Sequence, residues 1–94
     1  MNTLTVTQTK QLPEVATSRT RELQWQVQWL TQELAQTKAH CELAWKIYND
    51  AIDEGAPREQ IDSTYAIAQM FDAIRIATYR ELDAAKRDYL ALLN

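Results

Sequence analysis

After Pro13 the chain contains no glycine or proline until Gly55, and none again after Pro57. Glycine costs about 1 kcal/mol and proline about 3 kcal/mol in a helix interior, so two uninterrupted stretches are left free to be helical. Ala, Leu, Gln, Glu, Arg and Lys dominate both stretches, which is the composition of long helices. Pro13 followed by Glu14 suits a helix start, because proline fits the first turn and an acid suits the positive helix end. Gly55 suits a position just past a helix end, and Pro57 the start of the next helix. The reading is all-α: a helix over 14–54, a turn at 55–57 and a helix over 57–93. Each helix is roughly 54 Å long for about 36 residues, and so short a connection makes them antiparallel.

The first stretch has a faultless alternation of steps of four and three. Leu23, Val27, Leu30, Leu34, Thr37, Cys41, Ala44, Tyr48 and Ala51 form a heptad seam, which implies coiled-coil-like packing. The second continues in kind through Ile61, Thr64, Ala68, Phe71, Arg75, Thr78, Leu82, Ala85, Tyr89 and Leu92. Both seams are rich in small or polar residues, so two helices alone bury a thin core. Ninety-four residues make one small domain.

Residues 65–77 are apolar at ten of thirteen positions, with only Gln69, Asp72 and Arg75 polar. A helix packed on one side needs an apolar stripe only about 100° wide. The surplus calls for a second cover, and the expected one is another copy of the chain, giving a four-helix bundle. Ile67, Met70, Phe71, Ile74 and Ile76 are the expected dimer interface. Residues 1–13 stand apart as a flexible segment. Thr3, Thr5, Thr7 and Thr9 alternate there with Leu4, Val6 and Gln8, a strand-like period with no sheet in the chain to join.

Trp25 and Trp29 fall one turn apart on the side away from the seam, forming an outward aromatic patch. Tryptophan is the residue most enriched at binding hot spots, so the pair is the expected anchor for a protein partner. Trp45 flanks the seam and is expected in the core. Cys41 is expected as a small core residue. His40 beside it points about 100° away, so the two cannot share a metal within one helix. Arg75 occupies a seam position and needs a counter-charge, for which Asp72 is the local candidate.

Asp50, Asp53, Glu59 and Asp62 gather at the hairpin tip, and four carboxylates at one end suit a hard divalent cation. The D-x-x-D…E-x-x-D pattern distantly resembles the acidic motifs of all-α nucleotide pyrophosphatases. Those line a bundle interior with widely separated pairs, whereas here five residues separate the pairs and Asp53 faces outward. No metal, cofactor or catalytic residue is assigned.

Ten basic against thirteen acidic residues leave a net charge of −3, the wrong sign for a nucleic-acid binder. No apolar stretch approaches the roughly 20 residues that span a bilayer, and no charged start precedes an apolar run. A cytoplasmic location is the expectation. The function expected is that of a non-enzymatic, dimeric protein-binding module (adaptor, regulator or inhibitor). The alternatives are a metal-dependent helical hydrolase working at the acidic tip, or a structural subunit of a larger assembly.

Overall fold

A computed structural model describes residues 14–94, and the expected flexible segment 1–13 lies outside the described residues. Two helices make up the fold: α1 over Glu14–Asp53 and α2 over Arg58–Leu93. They pack antiparallel along their length as an all-α hairpin.

The turn is built by the residues that break the helical pattern. Gly55 takes a positive φ of 68°, a conformation open to glycine at no steric cost. Its amide donates to the Ile52 carbonyl at 3.1 Å, and the Ala56 amide donates to that of Ala51 at 2.9 Å. This pair of bonds is the Schellman closure, which satisfies carbonyls that a helix end leaves without partners. Pro57 stands just outside α2 rather than in its first turn, with an extended ψ of 149°. Its carbonyl accepts the Gln60 and Ile61 amides and so starts the helix.

Every seam residue of α1 from Leu23 to Ala51 is buried or half-buried. In α2 the same holds from Ile61 to Tyr89. The expected seam breaks only at Leu92, which is 44% exposed. The α1 seam position beyond Leu23 is Thr20, which offers no apolar partner to a residue at the open end.

The register pairs the tip halves and the open halves consistently. The Tyr48 and Tyr65 rings meet at 5.3 Å, Cys41 lies against Asp72, and Gln24 bonds Tyr89 near the open end. The core is thin, as the seams imply. Leu30, Leu82 and Ala85 form its cluster, with Val27 and Leu34 packed against it. Toward the tip the buried residues are Cys41, Ala44, Ala51 and Ala68. Buried Thr37 returns its hydroxyl to the Glu33 carbonyl at 2.7 Å and leaves no unsatisfied group.

Candidate functional site

Trp25 and Trp29 project from α1 away from α2, 65% and 47% exposed. Their position follows from the heptad frame, since neither belongs to the seam that packs against α2. The two indoles are almost parallel, 9° apart, with centroids separated by 6.4 Å. That spacing lies within the range of offset-stacked rings. Arg19, Glu22 and Gln26 border the pair, and Arg19 contacts Glu22 at 3.6 Å. The result is a flat aromatic surface with a polar margin.

A second outward surface occupies one side of the hairpin near the tip. Ile67, Met70 and Ile74 are 48%, 52% and 44% exposed. Their spacing of three and four places them on one stripe of α2. Leu43 and Ile47 extend the stripe across α1, and the cleft between the helices has Ala44, Thr64 and Phe71 along it. His40 caps the cleft, its ring 5.8 Å from Phe71. Phe71 is half-buried and serves as floor rather than outward contact. Ile76 is exposed, but nine residues from Ile67 it stands about half a turn around the helix. One flat partner therefore cannot cover Ile67 and Ile76 together.

The opposite side of the hairpin is polar and internally satisfied. The Cys41 thiol donates to Asp72 Oδ1 at 2.9 Å, and the Trp45 indole N–H donates to Oδ2 at 3.1 Å. Arg75, bent to the rim, reaches Oδ1 with Nη2 at 3.3 Å and Nε at 3.4 Å. Asp72 was expected only as the partner of Arg75; it also ties α2 to α1. The thiol hydrogen bond is the main cause that holds the Asp72 carboxyl below its ordinary value, aided by Trp45 and Arg75 and opposed by desolvation. The same bond, together with burial, pushes the Cys41 thiol up, so it is protonated at neutral pH and a poor nucleophile.

Trp45 departs from the core position expected of it. It is half-buried at the seam's edge, edge-on to Tyr48 at 5.6 Å and to Tyr65 at 5.8 Å. A buried indole needs an acceptor for its N–H, and the one it takes, Asp72, sits on the rim. Nothing in the sequence marks that bond, because Asp72 lies 27 residues from Trp45.

The acids at the tip are handled locally. Lys46 bonds Asp50 at 2.8 Å and Arg58 bonds Asp62 at 3.2 Å, each one turn along its own helix. The Lys46 pair offsets part of the unfavourable dipole interaction of Asp50 near the α1 C-terminus. Among the described residues, no three His, Cys, Asp or Glu side chains converge as a metal site. Among the same residues, no helix is long and apolar enough to cross a membrane.

In comparison with known proteins, the chain matches no family model, and no curated protein or solved structure is significantly similar to it.

Proposed function

We propose that this protein is a small non-enzymatic binding module, an adaptor, regulator or inhibitor that works as a helical dimer in the cytoplasm. One observation carries the reading: the hairpin leaves many of its large apolar side chains outside, among them Trp25, Trp29, Ile67, Met70 and Ile74. Contiguous exposed apolar patches on a small protein mark interaction sites. Here there are two, the tip-half stripe of Leu43, Ile47, Ile67, Met70 and Ile74, and the stacked Trp25 and Trp29.

The two patches suit different tasks. The stripe is a band of aliphatic side chains on both helices of one face, which is the surface that pairs hairpins into four-helix bundles. The Trp pair is smaller, planar and edged by polar groups, the form of a hot spot for a different protein. The hydrolase alternative draws no support from the geometry, because Asp50 and Asp62 already pair with basic neighbours.

Changing Trp25 and Trp29 together to Ala tests the reading. Affinity capture from the native host, read by mass spectrometry, is expected to lose a specific partner with the double variant. Binding falls by several kcal/mol, the size usual for central aromatic anchors, while helical circular dichroism and oligomer mass stay unchanged. A double variant that loses most of its stability assigns the pair to a folded core and ends the binding proposal. Calorimetric titration with Mg²⁺, Mn²⁺ and Ca²⁺ is expected to give no heat, and saturable heat lost on changing Asp50 and Asp62 to Asn revives the hydrolase.

A further inference from the structure

One line of α2 changes character along its length. Ile67, Ile74, Glu81 and Asp88 are spaced by seven, so they share one side of the helix. Near the tip this line is apolar, and toward the open end it is acidic. The acidic half borders a groove of about 410 Å³ between the helices, floored by Leu30, Ala84 and Ala85 and walled on the α1 side by Trp29. The same indole that stacks on Trp25 thus forms one wall of this groove, so the aromatic patch and the groove are continuous.

Charge in the groove is unbalanced. Glu81 and Asp88 enter no ion pair among the described residues. Arg19, the cation of the lining, is engaged with Glu22. The exposed part of the floor is Ala84, whose small side chain lets a guest backbone approach closely. An aromatic wall opposite two free carboxylates complements one kind of side chain above others. A guanidinium stacks on indole, the strongest cation–π face, and its planar fork bonds carboxylates in pairs. The two carboxylates lie two turns apart, about 10.5 Å along the axis. That matches basic residues seven apart in a helical guest or three apart in an extended one.

We propose that the Trp25–Trp29 patch and the adjoining groove form one docking site for a basic, arginine-bearing segment of a partner protein. Arginine lies against Trp29 and is held by Glu81 and Asp88, while a small apolar guest residue covers Ala84. This rests on the reading of the Trp pair as partner anchor and adds the chemistry of the guest. The apolar stripe used for dimerisation lies further toward the tip on the same side, so a second copy centred on Ile67 and Ile74 leaves the groove open.

The test is a selection of phage-displayed random dodecapeptides on the full-length protein, with counter-selection against the W25A/W29A variant. Enriched peptides are expected to be rich in arginine and to bind more weakly at raised salt. They are also expected to lose at least about tenfold in affinity on E81Q/D88N, since hydrogen bonds to charged groups are stronger than those between neutral ones. E81K/D88K is expected to turn the preference toward acidic peptides, with unchanged circular dichroism for both variants. Enriched peptides that are apolar or acidic and indifferent to E81Q/D88N overturn the basic guest while leaving the Trp anchor standing. No enrichment over W25A/W29A overturns both.

Discussion

The two halves of the hairpin solve the same packing problem with opposite residues. In the open half the seam holds Leu23, Leu30 and Leu82, with Val27 and Leu34 against them, and the flanking line carries Glu81 and Asp88. In the tip half the fully buried seam residues are Ala44, Ala51, Ala68 and Cys41, with Tyr48, Ile61 and Phe71 only half-buried beside them, while Ile67, Met70, Ile74, Leu43 and Ile47 stand outside. Large seam residues fill the space between the helices, while the surface of that half still exposes Trp25 and Trp29. Small seam residues let the helices meet with little buried area, so aliphatic bulk is displaced to the surface. The buried leucines therefore lie in the open half and the exposed aliphatic stripe in the tip half.

The most severe way to break this comparison is to charge the tip-half stripe. Changing Ile67 and Ile74 together to Glu is expected to dissociate the proposed dimer or unfold the chain. Apolar burial contributes roughly 25 cal/mol per Å², and that gain is replaced by the cost of burying two charges. Light scattering on the native protein is expected to give twice the 10.9 kDa chain mass. A well-folded native monomer at micromolar concentration removes the distinction between the halves.

Truncating the open-half core is next in size. Leu30→Ala is expected to cost about 2–5 kcal/mol in denaturant unfolding, the range for leucine in a filled core. A loss under about 1 kcal/mol, below any filled-core leucine, places the stabilising contacts elsewhere.

A smaller effect follows from the Asp72 bonds that close the tip half's polar side. The Asp72 pKa is lowered in the fold, so its contribution is complete above the ordinary carboxylate value and fades as pH falls through the lower folded one. The Cys41 pKa is raised, so its contribution is complete below the ordinary thiol value and fades as pH rises through the higher folded one. Melting temperature is thus expected to fall at both extremes and to hold between them. Asp72→Ala removes the acceptor that chiefly protects the thiol, so Cys41 alkylation at mildly alkaline pH is expected to accelerate. Unchanged alkylation shows that burial alone shields the thiol.

The least effect is expected from removing residues 1–13. A chain beginning at Glu14 is expected to keep its helical circular dichroism and melting temperature, because the segment precedes both seams. A fall of ten degrees or more assigns it a role in covering one of the exposed patches.

The sequence by itself determined the two helices, their turn and the seam. Helix needs only local permission, and the breakers Gly55 and Pro57 fall where the chain reverses. Heptad spacing names the inward residues because 3.6 residues per turn is fixed by the backbone. It also placed Trp25 and Trp29 outward, and Asp72 beside Arg75 one turn away. What the tertiary structure decided is everything that depends on which residue lies across the seam. Asp72 meeting Cys41 and Trp45, the stripe of Ile67 and Ile74 running on to Leu43 and Ile47, and Trp29 forming a wall opposite Glu81 and Asp88 all join residues from different helices. Those pairings follow from the length and closure of one turn, which sets the register between two helices, and spacing within either helix contains no record of it.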